Sequence, residues 1–167
     1  MVYIGRVKFR PQVLKHMDSL TLRESGFAEF LPLKELSFSS LPYDKGTVLV
    51  IIDSSLSGKP PSDILYIGRS KKPTKKILGG YLVGYGGKTA KKINSKLFND
   101  GYIEKTSISW ILSDDPKTLQ QELLENFRKE HGEYPTWNVS KKIPEKPQTK
   151  TKPAKARRAR RPSKPSP

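Results

Sequence analysis

The chain has 167 residues, with 32 Lys and Arg against 16 Asp and Glu and a formal net charge of +16, a length that suits one domain with a short appendage. It has no cysteine, which excludes disulfides and thiolate zinc sites, and its longest apolar run, Val48 to Ile52, is far too short to span a bilayer. Residues 140–167 hold eleven Lys and Arg and a single acid, leaving 21 basic against 15 acidic side chains in residues 1–139; both parts attract polyanions, the second more strongly. No apolar stretch follows a basic N-terminus, so the expectation is a soluble intracellular protein, nucleoid, cytoplasmic or nuclear according to source, without a membrane partner.

Along the chain, residues 1–45 form an N-terminal extension expected to pack on the domain. Val2, Ile4, Val7 and Phe9 suit a short strand, Leu14 to Leu22 a helix, and Phe27 to Leu36 supplies apolar contacts. TVLVIID at 47–53 is a β-branched run of strand length. SSLSGKPPSD reads as a loop, and ILYIG at 64–68 as the next strand of an antiparallel hairpin. Pro73 suits the first turn of a helix, which Gly79-Gly80 weakens and Gly84 to Gly87 ends. Thr89 suits the cap of a second helix, stopping at Asn99-Asp100-Gly101, and Ile103 to Leu112 reads as a third strand. Asp115-Pro116 combines a capping acid with proline at the first helical position, and Gly132 closes the helix that follows. From Lys141 onward the chain is Pro, Lys, Arg, Ala, Ser and Thr with few apolar side chains, a tail over 140–167 expected to be disordered when free. The order β-β-α-α-β-α predicts an α/β (α+β) domain over 46–139, with a small three-stranded mixed or antiparallel sheet flanked by helices.

Five features in order carry a resemblance: Gly46 opening a strand, Tyr66-Ile67-Gly68 ending the next, a basic helix near Pro73, the helix LQQELLENFRKEHG, and a closing Trp137-Asn138. Together they resemble the GIY-YIG nuclease domain of homing endonucleases and of the bacterial excision-repair endonuclease. A second Tyr-Ile-Gly at residues 3–5 has no hairpin before it and is read as coincidence. The resemblance implies phosphodiester hydrolysis with Mg2+ or Mn2+, tyrosines and a basic residue around the phosphate, and a helical Glu on the metal. Tyr66 takes the position of the general base, with Arg69 and Lys76 as the cations that favour its phenolate, since a free phenol titrates near ~10. Lys76 stands where the family usually has Arg. Tyr81 stands where it has His or Tyr, one residue further along.

Two positions depart from the family. Val48 replaces the tyrosine of the first strand. In the last helix, Leu119, Leu123, Leu124 and Phe127 define the buried face, and the metal-carboxylate position lands on Gln120. Glu122 is the metal ligand if the helix rotates, with Gln120 or Glu125 as alternatives; an amide lacks the charge of a good magnesium ligand.

Lys71, Lys72, Lys75, Lys88, Lys91, Lys92, Asn138 and the tail residues Arg157, Arg158, Arg160 and Arg161 are the candidate nucleic-acid contacts. The plainer alternatives are a strand aromatic for Tyr66, solvated helix faces for the lysines, and a turn-closing role for Asn138. The leading reading is a metal-dependent endonuclease acting on nucleic acid, DNA ahead of RNA, with no small-molecule cofactor. Its rival is a catalytically degenerate DNA- or RNA-binding module, inside a ribonucleoprotein or repair complex. A basic membrane-surface protein has only the tail in its favour.

Overall fold

The computed structural model describes residues 14–42, 45–56 and 62–138. Its elements are helix α1 (Ser19–Glu24), strands β1 (Leu31–Pro32), β2 (Thr47–Asp53) and β3 (Ile64–Ser70), a π-helix (Lys75–Leu82), helix α2 (Lys88–Phe98), strand β4 (Thr106–Leu112) and helix α3 (Pro116–His131). The strands form one antiparallel sheet in the order β1-β4-β2-β3. The fold is α+β, as expected, but the sheet has four strands. The fourth comes from the N-terminal extension, where Leu31 and Pro32 pair with Ile108 and Ser107 of β4. A proline suits this position because β1 is an edge strand.

Every residue of TVLVIID is buried, because β2 runs between two strands and helices cover both its faces. Alternation along β2 divides the core in two. Leu49 and Ile51 pack with Ile77 and Tyr81 of the π-helix and Ala90, Ile93 and Leu97 of α2. Val48, Val50 and Ile52 pack with Leu22 of α1 and Leu119, Leu123 and Phe127 of α3. The sheet is thus the middle of three layers, and β3 is its open edge on the side away from β1.

The helices show why local sequence succeeds or fails as a guide. Asp115 accepts from the Thr118 N–H at 3.1 Å, Pro116 opens α3, and Gly132 at φ 81° ends it, as the sequence predicts. Asp18 likewise caps α1, which starts later than the periodicity of Leu14 to Leu22 suggests. Helix α2 begins at Lys88 behind Gly87, so Thr89 lies inside it and is not its cap. The segment before β4 is a 3-10 turn over Tyr102–Glu104, which shortens the expected third strand. The helix carrying Gly79-Gly80 is π-wound, since two glycines hold an α-helical ladder poorly. Gly80 also allows close packing on α2: a Cβ there would lie 3.3 Å from the Cβ of Ala90.

Among the described residues no helix is long and apolar enough to cross a membrane. The expected strand over Val2 to Phe9, the Tyr3-Ile4-Gly5 copy, and the tail with Arg157, Arg158, Arg160 and Arg161 lie outside the described residues.

Candidate functional site

Tyr66 and Gly68 point to the same face of β3, the face covered by the π-helix. The phenol ring lies along the strand over Gly68, where a Cβ would stand 2.4 Å from a ring carbon and 2.6 Å from the hydroxyl. Glycine two residues after the tyrosine is therefore a packing requirement. The register of β2 against β3 shifts between Ile51 and Ile52, and Leu65 has no Cα partner; such a bulge re-aims the side chains beside it. Tyr81 meets Tyr66 edge to face, with ring centroids 6.1 Å apart.

The environment of the two phenols reverses an expectation. Tyr66 is only 4% exposed, and burial raises its pKa while the Tyr81 hydroxyl and the Arg69 charge offset only part of that rise. The Arg69 charge therefore does not outweigh burial at Tyr66. Tyr81 is raised further, first by burial and then by Tyr66. The two phenols perturb each other, and among the described residues the buried Tyr81 hydroxyl has no partner within hydrogen-bonding geometry. An orphaned hydroxyl costs stability, so Tyr81→Phe should leave the protein equally stable or more stable by about 1 kcal/mol near neutral pH. A phenol whose folded pKa is raised contributes stability that is complete below its unfolded value near ~10 and is lost as pH rises through the folded value. Melting curves at neutral and strongly alkaline pH should show a fall that shrinks in Tyr81→Phe. A variant that melts lower at neutral pH would contradict this account.

The other face of β3 carries Arg69, opposite Val48 in the β2 register. Its guanidinium donates to Gln120 Oε1 at 2.5 Å, and Gln120 Nε2 donates to the Ile67 carbonyl at 3.1 Å. Gln120 is thus the α3 side chain that hydrogen-bonds the YIG strand. Glu122 lies about 200° round the helix from it, in a shallow surface groove with Gln121, Glu125, Asn126 and Lys129. Glu125 is held by Arg128 and Tyr134. Among the described residues neither carboxylate bonds a group of β3; of the expected metal ligand Glu122 and its alternatives Gln120 and Glu125, the one that bonds the strand is Gln120. Val48 is fully buried in the α3-side core and contributes no group to the Tyr66 face.

The open edge of β3 is closed by side chains and by the segment after α3. Trp137 N–H donates to the Leu65 carbonyl at 2.9 Å. The Asn138 amide accepts from the Ile67 N–H at 3.0 Å and donates to the Ile67 carbonyl at 2.8 Å, as a neighbouring strand would. Lys76 Nζ donates to the Arg69 carbonyl at 2.6 Å. Partial burial, with repulsion from Arg69 as the lesser cause, lowers the pKa of Lys76. Asn138 and Lys76 therefore hold backbone groups of an edge strand that would otherwise invite pairing. Sequence reasoning places both near the site but misses this role, because edge hydrogen bonding leaves no periodic signal.

Gly46 has a packing reason of its own. Its carbonyl accepts from Ser113 N–H at 2.8 Å, and a Cβ at this residue would lie 2.4 Å from the Ser113 carbonyl oxygen.

No family model, curated protein or solved structure matches the chain.

The chemistry of the site rests on its donors. A magnesium or manganese ion takes oxygen ligands, carboxylates foremost. Here the α3 side chain facing the strand is an amide with both ends engaged, and a guanidinium occupies its oxygen. Among the described residues no group of three or more His, Cys, Asp and Glu is placed to hold a metal ion. These residues do not fit a divalent ion. What the region does present is cationic surface: Lys71, Lys72, Lys75, Lys88, Lys91 and Lys92 are all exposed, and none has an ion-pair partner among the described residues.

Proposed function

We propose that this protein is a nucleic-acid-binding module on a GIY-YIG-like scaffold, one that binds without cutting. One observation carries the reading. Between Asp63 and Asp100 the chain has nine Lys and Arg and no acid, and six of those cations are exposed and unpaired among the described residues. Unpaired lysines on the YIG strand's exit, the π-helix and α2 suit a phosphate backbone, because releasing its counterions drives association. The tail adds eleven more basic side chains at 140–167. Such a protein would act inside the cell, where nucleic acid is present.

The scaffold half of the reading is supported by Gly68, by the Asn138 seal and by the π-helix. A π-turn takes one residue more than an α-turn, which suits the one-residue-longer spacing to Tyr81. The non-cutting half is supported by the buried, raised phenol of Tyr66 and by Gln120 in the carboxylate position.

The test is a salt series of binding to labelled duplex DNA by the full chain and by a Lys91→Glu/Lys92→Glu variant. The variant should bind more weakly, and its log-log salt slope should flatten by up to roughly 1.8 units, about 0.9 for each phosphate no longer neutralised. Chelating divalent ions should leave wild-type binding unchanged. Identical binding by variant and wild type would overturn the binding surface. Magnesium-dependent plasmid cleavage that disappears in Tyr66→Phe would overturn the non-cutting half.

A further inference from the structure

Tyr85 sits on the loop between the π-helix and α2 and is 73% exposed. Among the described residues its ring meets no other ring. Its backbone, by contrast, is pinned. Tyr85 N–H donates to the Gly79 carbonyl at 2.8 Å, and Gly84 N–H to the Gly80 carbonyl at 2.9 Å. Gly84 and Gly86 on either side hold φ of 92° and 110°, a region that strains any side-chain-bearing residue. Gly84 also rests against Asn94, where a Cβ would lie 3.1 Å from Oδ1, and Asn94 Nδ2 donates to the Tyr81 carbonyl at 2.8 Å. The loop thus holds an aromatic ring in solvent on a fixed base, so little ordering remains to be met on binding.

The surroundings say what the ring is for. Lys88, Lys91 and Lys92 follow it as exposed cations of α2, and no acid lies within this stretch of sequence. An aromatic face among unpaired cations suits an unpaired base between phosphates: the ring stacks on the base and the lysines neutralise the backbone. A fully paired duplex offers no free base face to such a ring.

Building on the nucleic-acid-binding reading above, we propose that Tyr85 is a base-stacking platform, and that the favoured ligand is single-stranded nucleic acid or a duplex with unpaired bases. The experiment compares an oligothymidylate, an oligouridylate and a duplex of equal length, each titrated with the full chain and with Tyr85→Ala and Tyr85→Phe. Tyr85→Ala should weaken single-strand binding by about ten- to a hundredfold, leave duplex binding within a factor of about two, and leave the melting temperature unchanged. Tyr85→Phe, which keeps the ring, should bind single strands as wild type does. Equal losses on duplex and single strand, or no loss on either, would overturn the stacking role while leaving the charged surface standing. Failure of the wild-type chain to bind any of the three would overturn both.

Discussion

Gly68→Ala should cost about 2–3 kcal/mol of stability, read as a fall in melting temperature on the order of 10 °C. The added methyl would enter the space held by the Tyr66 ring, 2.4 Å from its nearest carbon. Tyr66 cannot swing away freely, because it is 4% exposed and Tyr81 stands edge-on against it. The clash is with a side chain two residues away on the same strand face, so a double-mutant cycle isolates it. In a Tyr66→Ala background the cost of Gly68→Ala should fall to within about 0.5 kcal/mol of zero. A full cost in that background would show that the glycine answers to something other than the tyrosine. The same result bears on function, since it gives the Tyr-x-Gly pattern a packing reason that holds whether or not the site ever cut a phosphodiester.

Asn138→Ala should lose about 2–3 kcal/mol, since it removes two hydrogen bonds and strands the N–H of Ile67, a residue fully buried in β3. Gln120 would still reach the Ile67 carbonyl, but no other described side chain bonds that N–H. Freed of its cover, the edge of β3 would also present backbone to other copies of the chain, so aggregation should become concentration-dependent. Asn138→Asp gives a sharper test. It keeps an acceptor for the Ile67 N–H but turns a carboxylate oxygen toward the Ile67 carbonyl, which disfavours the charged form and raises the folded pKa. The protonated form then stabilises the fold, fully below the unfolded value near ~3.9, and the stability is lost as pH rises through the folded pKa. Urea titrations should therefore find the Asp variant more stable in acid than at neutral pH, relative to wild type. A flat difference across that range would remove Asn138 from the strand edge.

How far the site can be read in the sequence differs from residue to residue. Tyr66 and Gly68 are legible because alternation in a strand brings positions two apart to one face. Lys76 and Asn138 are legible as neighbours of the site but not as backbone caps, since that role depends on β3 being an outer strand. The direction of the Tyr66 pKa is not legible: counting nearby cations ignores burial, and burial outweighs Arg69. Gln120 is legible too, since the helical wheel of Leu119, Leu123 and Phe127 places it beside the buried face. Glu122 required a rotation of α3, and the docking of those three residues with Val48 and Val50 leaves the helix where the wheel has it.

The order of the main elements, the caps of α3 and the concentration of positive charge are all readable from local sequence. Each rests on residues close together in the chain: Asp115 with Pro116, the β-branched run 47–53, and the acid-free stretch between Asp63 and Asp100. Tertiary packing settles that β1 joins the sheet, that Arg69 and the Ile67 carbonyl engage both ends of the Gln120 amide, and that Tyr85 stands in solvent on a pinned loop. The first two join segments far apart in the chain, and the third depends on side-chain exposure and loop hydrogen bonds, for which local propensity and spacing carry no term.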